Sequence, residues 1–211
     1  MSAIRSATMT KPKLTYFDAP TSRGEECRLA LQIAGVDFED IRVNRKDWPA
    51  LKPNTPFGSL PVLEMAGRPP LAQSNAILSF IGREHGLHPL DNFEAARHEA
   101  MMASVEDLRA NVAPTIRIAD EAEKKKAREA LVATYLPNWG DKAENQIGEG
   151  PFFAGAKIHV VDIKLYMAVH WFIGGKVDYI PAAIFAGFRK LNRVYDAVSN
   201  HERVKAWYAK G

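Results

Sequence analysis

A proline at the head of a short apolar run constrains this chain more than any other feature. In Ser59-Leu60-Pro61-Val62-Leu63-Glu64 the imide nitrogen has no hydrogen to give to a sheet. Pro61 therefore belongs at the first position of a strand, with Val62-Leu63-Glu64 pairing after it. Ala66-Gly67 then reads as a tight turn into a short second strand around Pro70-Leu71-Ala72, and Gln73-Ser74 opens a helix with Ser74 as its cap. A helix start presents unpaired N–H groups and positive potential, which suits a carboxylate.

The text before this hairpin reads as β-α-β. Leu14-Thr15-Tyr16-Phe17 is a β-prone run ended by the turn cluster Asp18-Ala19-Pro20-Thr21-Ser22; Cys27, Leu29, Leu31, Ile33 and Ala34 give helical spacing that Gly35 stops; Phe38 to Val43 alternates like a half-buried strand. Lys46 to Gly58 is proline-rich and irregular. Residues 1–12 are small and polar and read as a flexible leader. The stretch 85–92, with glycine, proline and asparagine, marks a boundary between a domain over 13–87 and one over 93–211.

Beyond it the pattern is helical: 93–113, broken at Pro114; 119–143, bent near Pro137, with the run Glu121 to Lys126 as a solvated face; then 158–172, 185–199 and 201–209. The net charge of +3 gives no reason to expect a nucleic-acid partner. No apolar run approaches the roughly 20 residues of a membrane span. The single cysteine, Cys27, excludes an intrachain disulfide, makes a reducing cytoplasm the default location, and falls inside a helix as a buried bystander.

Leu-Pro-Val-Leu, a hairpin, and Gln-Ser at a helix start resemble the glutathione-binding half of cytosolic glutathione transferases, and Tyr16-Phe17 and Asp47-Trp48-Pro49 with Lys52 resemble their sigma class. The resemblance implies an α/β N-terminal thioredoxin-like domain with parallel first strands and a cis proline, followed by an all-α C-terminal domain. It implies glutathione as co-substrate, no metal, and a cytoplasmic homodimer.

Residue by residue, the resemblance assigns Tyr16 to stabilising the glutathione thiolate and Arg23 to supporting it. Trp48 and Lys52 would hold the glycine carboxylate, Leu60 before Pro61 the cysteinyl backbone, and Gln73 and Ser74 the γ-glutamyl group. Asp107 of a second copy would meet the γ-glutamyl ammonium. A thiol with a pKa near ~8.5 is mostly protonated at neutral pH, so a hydroxyl donor aimed at the sulfur suits the chemistry. Phe17, Arg109 and Lys164 are placed by the resemblance around the second substrate, in an open pocket more polar and cationic than usual for the class, with solvent as the alternative surroundings of Arg109 and Lys164. Phe57 would key into a second copy or pack locally.

Phe153 to Asp162 resembles the family's capping box, with Asp162 structural. His159 stands at the cap position where Ser or Thr is expected, which predicts a helix start weaker by about 1 kcal/mol. Three activities share these residues: conjugation of the thiolate to small electrophiles, a glutathione-dependent isomerase or peroxidase, and a glutathione-binding module without catalysis.

Overall fold

The computed structural model describes residues 11–210. The expected leader lies outside them, apart from Lys11 and Pro12; the Pro12 carbonyl accepts the Glu39 N–H at 2.8 Å. Strand β1 (Lys13–Phe17), helix α1 (Ser22–Ala34) and strand β2 (Glu39–Val43) form the β-α-β unit, with β1 and β2 parallel. Gly35 closes α1 at φ 73°, a conformation glycine adopts without steric cost.

After a one-turn helix α2 (Trp48–Leu51) and two 3-10 turns, β3 (Val62–Glu64) pairs antiparallel with both β1 and β4 (Leu71–Ala72), giving the order β2-β1-β3-β4. Pro61 directly precedes the first paired residue, where its missing N–H costs no ladder bond, and the Leu60–Pro61 peptide is cis. The hairpin turns at Met65-Ala66-Gly67-Arg68, with the Arg68 N–H on the Met65 carbonyl at 3.2 Å and Gly67 at φ 75°.

Helix α3 (Ser74–Glu84) corrects one expectation. Gln73 occupies the cap position and Ser74 is the first helical residue. Strand β4 ends at Ala72, so a single residue must reverse the chain; Gln73 does so at φ 73°, ψ 114°, without a side-chain bond into the helix. A non-glycine residue held there costs on the order of 1–3 kcal/mol, and such strain is concentrated at ligand sites.

The helical domain begins with α4 (Asn92–Val112), capped by the Asp91 carboxylate, which accepts the Phe93 and Glu94 N–H groups at 3.0 and 2.9 Å. A 3-10 turn, Ala113–Arg117, follows at Pro114. The expected long second helix is α5 (Glu121–Ala130) and α6 (Leu136–Gln146) joined by a π-helical turn over Leu131–Tyr135. Pro137 has no N–H to return to the preceding turn, which widens to accommodate it. Helices α7 (Val160–Ile173), α8 (Arg189–Ser199) and α9 (Glu202–Tyr208) complete the chain. Helix α7 is buried on every face from Val160 to Val169, and the Trp207 indole N–H of α9 bonds the buried Glu25 carboxylate of α1 at 2.7 Å.

At the α7 start, the Asp162 carboxylate accepts the Phe153 N–H at 2.6 Å and the His159 N–H at 2.7 Å. The His159 ring returns no bond, and its Nδ1 is buried without a partner. The box is therefore one-sided, as a histidine at that position predicts. Beside it His98 is wholly buried, 5.1 Å from the His159 ring and 6.1 Å from His88, and neither of its nitrogens is hydrogen-bonded.

Burial, with the neighbouring His159, His88 and Arg97, pushes the His98 pKa down to about 3. An unfolded chain takes that proton near its ordinary value of 6.5. The associated stability is therefore complete above pH 6.5 and is lost as pH falls toward 3, by about 2–3 kcal/mol at pH 4.5. Thermal unfolding from pH 7.5 to 4.5 should show a slope that His98→Leu flattens. Parallel curves for the two proteins would rule out the titration of His98 in this range.

Candidate active site

Tyr16 is the last residue but one of strand β1, its ring packed against α1, with 9% of the residue exposed. Helix α1 passes so close that a Cβ at Gly24 would lie 2.0 Å from Tyr16 Cγ and Cδ1, so glycine alone lets helix and ring coexist. The Arg28 guanidinium lies over the same ring at 5.7 Å. Arg28 also donates to the Phe17 carbonyl at 3.2 Å and the Ala19 carbonyl at 2.9 Å, fixing the loop that leaves the strand.

Burial lifts the phenol above its ordinary pKa, although the Ser22 hydroxyl and the Arg23 charge pull the other way. A raised phenol stays protonated at neutral pH, so Tyr16 is available as a hydrogen-bond donor and not as a base. Its ring meets Phe17 edge to face at 5.5 Å, and Phe17 meets Trp48 in the same way at 5.6 Å. This aromatic contact chain leads from the phenol to Trp48 and Lys52, the pair expected to hold a carboxylate. Lys52 is exposed, and its aliphatic stem runs beside Gly58, where a Cβ would lie 3.5 Å from Lys52 Cε.

On the other side, Leu60 precedes the cis bond outside the ladder, since pairing of β3 starts at Val62. Its backbone is free to pair with an extended peptide, the geometry of strand addition. Ser74 follows at the α3 N-terminus, where the first-turn N–H groups have no partner inside the helix. The sites expected for the two ends of glutathione therefore flank the segment expected to hold its middle.

A cavity of about 500 Å3 opens beside Tyr16, lined among others by Phe17, Arg23, Arg109, Met167 and Trp171. Phe17 and Arg109 are in that lining, and Lys164 is not. Its ammonium is fully buried between α1, α4 and α7, bonded to Glu26 at 2.9 Å and to Glu106, with the Ser74 hydroxyl at 3.4 Å.

The reason is the all-round burial of α7. A lysine on such a helix must find carboxylates or leave a charge unpaired. Glu26 and Glu106 supply them, and they also bind Arg109, while Arg23 pairs with Glu106 at 2.6 Å. Burial opposes ionisation of Glu106, but Lys164 and Arg109 outweigh it and hold the carboxyl at about 2. The same two cations lower the Glu26 pKa against its still stronger desolvation. This network ties the neighbourhood of Tyr16 to Ser74 and was missed in the sequence except for Arg23, Arg109 and Lys164.

Asp107 is exposed on α4, facing away from the inward Glu106. Asp162 stands at the α7 cap, outside the cavity lining. Cys27 is wholly buried, which pushes its thiol well up and makes it unreactive. Among the described residues no group of three or more His, Cys, Asp or Glu is placed to hold a metal ion, and no helix is long and apolar enough to cross a membrane.

Comparison with known proteins agrees with this layout. Residues 12–83 match the family model described as the glutathione S-transferase N-terminal domain, and residues 106–211 match that of the C-terminal domain. A glutathione S-transferase of Anopheles gambiae is 30% identical over 94% of this chain and 95% of its own length. Glutathione S-transferase 1 of Ascaris suum is 45% identical over 56% of this chain, a match that spans 58% of that protein. The solved structure of prostaglandin synthase D of Nilaparvata lugens superposes with a TM-score of 0.84 at 31% identity, over 95% of this chain and 98% of that one. With both halves of the chain matched in order and a relative 30% identical over nearly the whole length, the chain belongs to the glutathione S-transferase family.

Proposed function

We propose that this glutathione transferase activates its thiol through Tyr16, whose neutral phenol donates a hydrogen bond to the glutathione sulfur and favours the thiolate. The observation that carries the reading is the position of that donor. It lines the cavity and is linked through the Phe17 ring to Trp48, one of the residues proposed to hold glutathione. Glutathione would lie with its glycine carboxylate toward the Trp48 indole N–H and Lys52 ammonium, donors suited to a carboxylate. Its cysteinyl backbone would pair with Leu60, and its γ-glutamyl carboxylate would meet Gln73 and the Ser74 N–H and hydroxyl, with the Lys164 ammonium behind.

The thiolate then attacks an electrophile held in the cavity. A carbon–sulfur bond forms as the leaving group departs with its electron pair, and the thiol proton passes to solvent. A second copy of the chain would contribute Asp107 to the γ-glutamyl ammonium in a sigma-like homodimer. The apolar surface offered by Phe57, 80% exposed, and Phe93, 73% exposed, supports such an association. Similarity to a structure described as a prostaglandin synthase keeps open an isomerase that uses the same thiolate, which product analysis distinguishes.

The test is the ultraviolet absorbance of glutathione thiolate on the protein as pH is varied. The bound thiol should titrate about one unit or more below the ordinary ~8.5. Glutathione that binds with its thiol still protonated would make the chain a binding module and overturn the reading.

A further inference from the structure

The cavity beside Tyr16 combines an apolar wall with an excess of one charge. Ile116, 56% exposed, Trp171 and Met167 provide the apolar surface. Four arginines line the same space, Arg23, Arg45, Arg109 and Arg117, and no aspartate or glutamate does. Arg23 and Arg109 are neutralised from behind by Glu26 and Glu106. Arg45 and Arg117 have no carboxylate partner among the described residues, and Arg45 lies 5.2 Å over the Phe17 ring. One comes from the loop after β2 and the other from the turn after α4, so the two guanidinia reach the cavity from opposite halves of the chain.

We infer that the second substrate is an amphipathic anion: an electrophile with an apolar body and a carboxylate or sulfonate, bound with the body against Trp171 and Ile116 and the charge between Arg45 and Arg117. The inference rests on the conjugating function proposed above. A planar guanidinium pairs with a carboxylate through two parallel hydrogen bonds. The apolar wall explains why a hydrophilic anion would not suffice. A fully apolar electrophile would gain nothing from the two exposed, solvated guanidinia at the mouth. Neither arginine is among the residues proposed to hold glutathione.

Two unreactive probes separate this inference from the catalytic reading. Calorimetry on the glutathione-loaded protein should show 3,5-dinitrobenzoate binding about tenfold or more tighter than uncharged 1,3-dinitrobenzene, in line with a hydrogen bond to a charged group. The preference should weaken with added salt. In Arg45→Leu/Arg117→Leu it should fall to near unity. Equal affinity for the two probes in the wild type, or a preference unaltered in the double variant, overturns the inference.

The reactive pair 4-chloro-3,5-dinitrobenzoate and 1-chloro-2,4-dinitrobenzene then reads the same ratio in kcat/KM. Here the sulfur bonds the ring carbon and chloride leaves with the electron pair. Anion-selective binding without conjugation of either compound would refute the conjugating function while upholding the charge selectivity. Conjugation of both compounds without selectivity would do the reverse.

Discussion

Tyr16→Phe should lower kcat/KM for glutathione conjugation by about 100-fold, the scale of losing one positioned donor at a developing or stabilised anion. The protein should still fold. The contacts that fix the ring are the Gly24 approach at Cγ and Cδ1, the edge-to-face packing on Phe17 and the Arg28 guanidinium above it, and none of them uses the hydroxyl. Because burial holds the phenol above its ordinary pKa, it serves as a proton-bearing donor throughout the range in which the thiol titrates.

Its removal should therefore move the acidic limb of the kcat/KM profile up by about one unit or more, toward the free thiol. Glutathione affinity should change little, since the residues proposed to hold the peptide are others. A variant with the wild-type pH profile would take the thiol-activating role away from Tyr16. A variant with the wild-type profile but poor glutathione binding would make Tyr16 a binding residue.

The elements that set this geometry are legible in the sequence because each is enforced by local chemistry. Proline excludes itself from the ladder, Gly35 and Gly67 stand where φ turns positive, and the apolar spacing of α1 and α3 shows which faces are covered. The α3 cap was misplaced by one residue because nothing in Gln73-Ser74 announces how short β4 is; only the pairing of Val62 with Ala72 and Leu63 with Leu71 fixes it. The π-helical turn before Pro137 is likewise a tertiary accommodation, with only the proline as its signal.

The buried ion network is a different kind of miss. Lys164 is the one cation in the run Val160 to Val169, and Glu26 falls on the stripe it shares with Leu29 and Ile33, while Arg109 falls on that of Val105 and Val112. A charge inside an apolar stripe signals a buried partner. Which charge meets which depends on how α1, α4 and α7 cross, and helical periodicity is silent on that.

That network yields the largest stability effect. Glu26→Gln removes a wholly buried carboxylate while retaining its shape, and leaves Lys164 and Arg109 to share Glu106, which Arg23 also claims. Breaking a buried ion pair from one side costs about 3–5 kcal/mol, because the remaining charge stays desolvated and uncompensated. In a chain of this size that corresponds to roughly 10 °C in Tm.

Removing Glu26 together with both of its cations, which leaves Glu106 to Arg23, should cost far less. Glu26→Leu/Arg109→Met/Lys164→Met replaces the pairs with apolar side chains of similar volume, and Tm should recover to within about 3 °C of the wild type, since such exchanges are often neutral. The functional loss should run the other way. The triple variant takes the ammonium away from the Ser74 hydroxyl and a guanidinium from the cavity beside Tyr16. It should bind glutathione more weakly than its stability alone would suggest, about tenfold if Lys164 acts on the γ-glutamyl carboxylate through Ser74. An unchanged Tm in Glu26→Gln would mean that Glu26 is not ionised in the folded chain. A triple variant that is stable and binds glutathione normally would reduce the network to scaffolding. Recovered stability with weakened binding would show that these charges are kept for the ligand.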